Sequence, residues 1–186
     1  MKHFLNTQDW SRSDLDALLT QAALYKQHKL GDALKGKSIA LVFFNPSMRT
    51  RTSFELGALQ LGGHAVVLQP GTDARPTEVT LGTVMDGDTE EHIAEVAKVL
   101  GRYVDLIGVR AFPKFIDWAY DREDIVLKSF ATYSPVPVIN METITHPCQE
   151  LAHALALQEH FGTSDLRGKK YVLTWTYHPK PLNTAV

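Results

Sequence analysis

Residues Ser38 to Phe44, Ser-Ile-Ala-Leu-Val-Phe-Phe, form an almost unbroken apolar run rich in β-branched and aromatic side chains. A strand with one wet face alternates, whereas this run does not, so it predicts a strand buried on both faces of a parallel sheet. Such a sheet must be flanked by helices. Asn45-Pro46 then ends the run. Pro46 lacks the N–H that a central strand needs, and it biases Asn45 away from the helical region. Ser47 follows as a good N-cap. A helix capped there and running through Leu56 turns the N–H groups of Met48, Arg49 and Thr50 outward at the positive end of its dipole, which attracts phosphate.

Arg49 and Arg51 have different tasks in this picture, because residues two apart on a helix diverge by about 200°. Arg49, nearer the open end, is expected on the anion. Arg51 and Glu55 stand four apart and can pair along the helix. The plainer reading is a strand, turn and helix with a solvated basic first turn, although basic residues there oppose the dipole.

The rest of the chain extends the pattern. Ser11 to Asp14 offers a helix start, and Leu15, Leu18, Leu19, Ala22 and Ala23 recur at helical spacing. After the anion-loop helix, Gly62-Gly63 breaks the chain and His64 to Leu68 reads as a second buried strand. Pro70 to Asp88 lacks any period, and loops of that length in compact domains tend to be functional or mobile. Thr89 to His92 reads as an N-cap with acids in a first turn, leading into the stripe Ile93, Val96, Ala97 and Leu100. Val104 to Val109 is a third strand, ending at Arg110. Helical patterns span Phe112 to Trp118 and Glu123 to Phe130, and Val136 to Asn140 is a short strand whose Pro137 suits an edge. The alternation predicts an α/β fold, a parallel sheet flanked by helices, with every strand presenting its carboxyl end to one rim.

Three polar clusters converge on that rim: the Ser47 to Thr50 loop, Arg110, and Met141 to Gln149. Pro147 is well placed as a first helical residue, which leaves His146 at the cap. There the helix dipole favours a neutral imidazole that can donate to a carbonyl. Gln149 adds an amide. A plain capping or surface histidine is the simpler alternative for His146. A metal set of His146, Glu150, His153 and His160 is a rival, since these lie roughly along one helical face. The sequence has no His-Glu-x-x-His pattern, however, and zinc helices place their ligands within one or two turns. Cys148 as a nucleophile is weaker still, because two positions from His146 it points off that face.

Composition bounds the partners. The 186 residues carry a net charge of -2, with 44% hydrophobic and 22% charged residues, so neither nucleic acid nor an acidic membrane is suggested. The N-terminus has no apolar leader, no run approaches a membrane span, and the single cysteine excludes an internal disulfide. These features suit the cytoplasm.

The combination Ser47-Met48-Arg49-Thr50-Arg51, then Arg110 after a strand, then His146-Pro147-Cys148-Gln149, resembles the carbamoyl-phosphate half of the aspartate and ornithine carbamoyltransferases. Within that family the resemblance is closest to members acting on N-acetylornithine, and it covers essentially the whole chain. It implies transfer of the carbamoyl group of carbamoyl phosphate to N-acetylornithine, giving N-acetylcitrulline and phosphate in arginine biosynthesis, with no cofactor. Ornithine or N-succinylornithine as acceptor, or a non-catalytic phosphate-binding or assembly module, are the alternatives. Ser47, Met48, Arg49 and Thr50 would hold the phosphoryl group, and Arg110, His146, Pro147, Cys148 and Gln149 would surround the carbamoyl end. Thr50, Arg110 and His146 would be the catalytic donors. Glu142 resembles a residue on the acetylornithine side, and Glu90 the position where acetyl and succinyl enzymes differ. The family also implies a homotrimer with shared sites.

Two departures from the family pattern stand out. Arg75 occupies a long-loop position where close members carry a tryptophan that reaches the neighbouring subunit's carbamoyl phosphate; arginine could keep a phosphate contact with different geometry. The chain also ends at Val186, where the family continues into a second α/β domain. The expected division is residues 1–146 as the carbamoyl-phosphate domain, 147–161 as a linking helix, and 162–186 as the truncated start of an amino-acid domain. Tyr171 to Tyr177 would be its first strand, and His178 onward a turn and helix. A chain of this extent is expected to be inactive alone.

Overall fold

The structure is a computed structural model that describes residues 2–172 and 174. Its elements in chain order are α1 (Arg12–Gln27), β1 (Ser38–Phe43), α2 (Arg49–Gln60), β2 (His64–Leu68), β3 (Thr77–Glu78), β4 (Glu91–His92), α3 (Ile93–Tyr103), β5 (Leu106–Arg110), α4 (Trp118–Asp121), α5 (Ile125–Tyr133), β6 (Val138–Glu142) and α6 (Pro147–Phe161). Four of the strands form one parallel sheet in the order β2-β1-β5-β6. β1 and β5 are central, as the unbroken apolar run of β1 demands.

Alternation within β1 feeds both faces of the sheet. Ala40 and Val42 join Ile107, Val109 and Val138 beneath α3 and α5, where Ile93, Ala97, Leu127 and Phe130 complete a core. Ile39, Leu41 and Phe43 turn the other way, onto Met141 and onto Ala58 of α2. The result is three layers, helix over sheet over helix, with all four strand ends on one rim.

Several expectations need correction. β2 is an edge strand rather than a buried one: His64 and Val66 are exposed, because nothing pairs on its outer side within the described chain. Glu91–His92 is not helical but pairs in parallel with Thr77–Glu78. The helix behind it begins one residue later, capped by His92 Nδ1 accepting from Ala94 N–H at 3.2 Å. Phe112 to Asp117 forms no helix. There the buried Asp121 carboxylate accepts the N–H groups of both Lys114 and Phe115, at 2.9 and 2.8 Å, and holds Phe115 at φ 58°. That local bonding outbids helical bonding. The expected edge strand is displaced to Val138–Glu142, and the N-terminal Phe4 pairs beside it, donating to Val138 O and accepting from Asn140 N–H.

Helix α6 follows the reading from sequence, with Pro147 at its first position, His146 at its cap and Gly162 closing it in the left-handed region. Tyr171 and Val172 are exposed and outside regular structure. The rest of the expected strand to Tyr177, Thr174 apart, and the turn and helix from His178 onward lie outside the described residues.

Candidate functional site

The rim gathers its side chains from the starts of two helices and the ends of two strands. Ser47 caps α2 in the chemical sense. Although the last non-helical position falls at Met48, Ser47 Oγ accepts the Thr50 N–H at 3.1 Å. This leaves the first-turn N–H groups of Met48 and Arg49 without a carbonyl one turn back to bond. The Met48 side chain is 81% exposed, so only its backbone can serve an anion. Arg49 is exposed, and among the described residues no carboxylate pairs with it. Arg51, as expected, leans toward Glu55, with 3.7 Å between Nε and Oε2.

Arg110 ends β5 and is buried, 7% exposed. Its Nη1 donates to Thr50 Oγ1 at 3.2 Å and to the Glu142 carboxylate. Its guanidinium carbon lies 4.4 Å from the centre of the Phe112 ring. Burial draws the pKa of Arg110 below its ordinary value and Glu142 pulls it back up, while the charge of Arg49 adds to the lowering. Two cations thus stand close enough to repel, with one carboxylate between Arg110 and neutrality. Arg110 Nε is buried and bonds to no described residue. A buried, unused donor beside a second cation is the signature of a place for an anion.

Glu142 reaches Arg110 through an irregularity of the sheet. Val109 aligns with Asn140, but Arg110 aligns with Glu142, so Met141 is a surplus residue in β6. This bulge re-aims the strand end. Ala111 N–H donating to Glu142 O at 3.0 Å fixes the new register. His146 Nε2 lies 3.5 Å from Glu142 Oε2, so Thr50, Arg110, Glu142 and His146 form one connected cluster.

Pro147 is fully buried beneath the turn, and Gln149 is exposed in the first turn of α6. The half-buried Cys148 places its Sγ 3.8 Å from Asn140 O. Burial pushes its thiol up to about 11, which removes the thiolate that a nucleophile needs. The four residues of the metal rival are not gathered into one ligand set among the described residues. Glu150 accepts from Thr7 Oγ1 at 2.7 Å, the His160 ring packs edge-on against Phe161, and no three metal-ligating side chains converge among the described residues. Arg75 and Glu90 form an exposed ion pair with each other on the long loop.

Sequence reasoning missed three supports of this cluster. Asn45 Oδ1 accepts the Phe112 N–H at 2.7 Å, tying the loop after β1 to the loop after β5. Asn before Pro at a strand end is a usual site for such a bond, so the signal was present. Asn140 and Thr143, both fully buried, brace the turn into α6; from sequence Asn140 reads as the last residue of a strand and Thr143 as one member of the Met141 to Gln149 cluster with no task of its own.

A family model described as "Aspartate/ornithine carbamoyltransferase, carbamoyl-P binding domain" matches residues 2–159. The chain is 89% identical over 186 residues to the N-acetylornithine carbamoyltransferase of Xanthomonas axonopodis pv. citri, covering all of this chain and 54% of that protein. A crystal structure of acetylornithine transcarbamylase complexed with acetylcitrulline superposes with a TM-score of 0.95 at 89% identity, over 100% of this chain and 56% of the other. A mutant of N-acetyl-L-ornithine transcarbamylase, complexed with carbamyl phosphate and N-succinyl-L-norvaline, gives 0.95 at 88% identity, over 100% and 56%. The chain spans about half the length of the relatives it matches. No described helix is long and apolar enough to cross a membrane.

Proposed function

Because this chain belongs to the aspartate/ornithine carbamoyltransferase family, we propose that its rim cluster binds carbamoyl phosphate for transfer to N-acetylornithine, giving N-acetylcitrulline and phosphate in arginine biosynthesis. The observation that carries this reading is the buried Arg110, bonded to Thr50 at the start of α2, with an unused Nε and with Arg49 close by. Arg49, the first-turn N–H groups and the Ser47 to Thr50 loop hold the phosphoryl oxygens. Arg110, Thr50 and His146 face the carbamoyl oxygen, with Pro147, Cys148 and Gln149 forming the wall beside them.

The chemistry follows from this placement. The uncharged amine nitrogen attacks the carbamoyl carbon, negative charge grows on the carbonyl oxygen, and the bond between that carbon and the bridging oxygen breaks with its electron pair leaving on phosphate. The amine proton passes to the departing phosphate. Donors fixed at the oxygen stabilise that charge more than they stabilise the bound substrate. Phosphate is a good leaving group, so positioning and charge suffice. Glu142 orients Arg110 and His146 and faces the amine substrate. Glu90, with Arg75 against it, is the assignment for reading the acyl group, and 89% identity to an N-acetylornithine enzyme favours acetyl there.

The division at 1–146, 147–161 and 162–186 belongs to the same proposal, as do a cytoplasmic location and a homotrimer. The exposed Leu56, Leu59 and Val66 on the α2 and β2 side give a trimer apolar surface to bury.

Calorimetric titration with carbamoyl phosphate tests the site. R49A removes an exposed side chain and leaves the fold intact. It should weaken binding about 10- to 100-fold, the usual worth of a charge-assisted contact. Wild-type affinity in R49A overturns the phosphoryl assignment. In a colorimetric ureido assay with N-acetylornithine, ornithine and N-succinylornithine, a chain spanning about half the length of its relatives should show little or no turnover; robust turnover overturns that expectation, and equal use of ornithine overturns the acetyl reading.

A further inference from the structure

Asp124 sits at the N-cap of α5 with φ 46° and ψ 49°, a left-handed conformation that few residues other than glycine adopt. An aspartate at such a position ordinarily bonds the second or third N–H of its own helix. Here the Leu127 N–H exerts the smallest pull on the carboxylate. The strong contact lies across the fold, where Thr143 Oγ1 donates to Asp124 Oδ2 at 2.6 Å. The direction of that bond is set by its neighbours: Asn140 Nδ2 donates to the same Thr143 oxygen at 3.1 Å, so the hydroxyl proton is left for Asp124.

Thr143-Ile144-Thr145 is the turn between Glu142 and His146. Thr143 N–H closes it by donating to Thr145 O at 2.9 Å, and Asn140 Nδ2 reaches Thr145 Oγ1 at 3.1 Å. Asp124 also lines a cavity of about 70 Å³ together with Ala111, Phe112 and Ile144, residues of the segments that follow β5 and β6.

We propose that Asp124 is a positioning residue: through Thr143 it fixes the turn that sets Glu142 and His146 against Arg110. The inference rests on the functional reading above only in so far as that cluster is the site. A residue held in an unfavourable backbone conformation and half-withdrawn from water, yet bonded to a turn at the rim, has a task that its own helix does not supply. Burial pushes its carboxyl up to about 6, against the pull of the Thr143 bond and the Lys128 charge. Lys114 and Asp121 share its cavity, and Glu142 and His146 flank the turn that it holds. Above about pH 6 the ionised carboxylate makes the stronger bond to Thr143.

The test needs no ligand, so it is separable from the carbamoyl-phosphate titration. Amide hydrogen exchange and ¹H–¹⁵N spectra are recorded on the unliganded chain from about pH 5 to 8, for wild type, D124N, D124A and T143V. All four chains are also compared in an H146N background, which removes the neighbouring imidazole's own titration. In the D124A and T143V chains the backbone amide at position 143 should exchange about 10- to 100-fold faster than in wild type, the loss expected for one bond to a charged acceptor. D124N keeps an acceptor oxygen and tolerates the left-handed conformation, so it should stay folded and protected but lose any movement of the Thr143 and Thr145 signals centred near pH 6. Wild-type exchange at position 143 in T143V, or identical pH movement in wild type and D124N, overturns the proposal. Should D124A fail to fold, T143V tests the same bond from its other end, because it leaves the carboxylate in place.

Discussion

Asp124 also leaves a mark on stability. Its carboxyl releases a proton near 3.8 in the unfolded chain and near about 6 in the folded one. Between those values the folded state binds the additional proton, so this group's contribution to stability falls as pH rises through the window and levels off above it. The full change is at most about 3 kcal/mol, less where water reaches the carboxyl. D124N binds no proton in either state. Urea denaturation should therefore show the stability of wild type minus that of D124N falling by about 2 kcal/mol between about pH 4 and 7; a difference that is flat with pH would contradict a raised pKa. The sequence did not announce this residue. Asp before an apolar stretch reads as a helix cap, and only the distant Thr143 shows what else it holds. Thr50, Arg110 and His146, by contrast, were legible, because each stands at a strand end or helix start where the backbone itself dictates the direction of the side chain.

At the scale of elements, the unbroken apolar run of β1 and the alternation of strands with helices sufficed for a parallel sheet, since a strand without a wet face has few other places to go. Expectations failed where side chains bond backbone over short distances. Asp121 unmade a helix at Phe112 to Asp117, and the two-residue pairing of Thr77–Glu78 with Glu91–His92 delayed the start of α3. Neither is visible as periodicity. One contact between elements is rigid enough to test. A Cβ added to Gly101 of α3 would collide with Cδ of Pro135, and a proline ring cannot swing aside. Alanine normally favours a helix by about 1 kcal/mol over glycine. At this position G101A should instead destabilise the fold, by about 1 to 3 kcal/mol in chemical denaturation, as overpacking does. A neutral or stabilising result would mean that α3 shifts freely against the turn before β6.

For the whole molecule, the cations of the rim tie ligand and stability together. Arg49 and Arg110 repel in the folded state and far less in the unfolded one, so an anion between them should stabilise the fold by mass action. Carbamoyl phosphate at about 100 times its dissociation constant contributes about 2.7 kcal/mol, a rise in Tm of about 5 to 10 °C for a chain of this size. Differential scanning fluorimetry should show that rise in wild type, a smaller one in about 1 M sodium chloride, and little in R49A. An equal rise in R49A would move the anion elsewhere. The bulge at Met141 adds a consequence of a different kind. Below it, β6 keeps the strict in-and-out order that its packing requires; above it, the strand end is offset by one residue and answers to Arg110 and Ala111 instead. Met141 thus stays in the core while Glu142 takes its alignment from the rim. A change at position 142 therefore strikes the ion pair with Arg110 rather than the in-and-out order of the core.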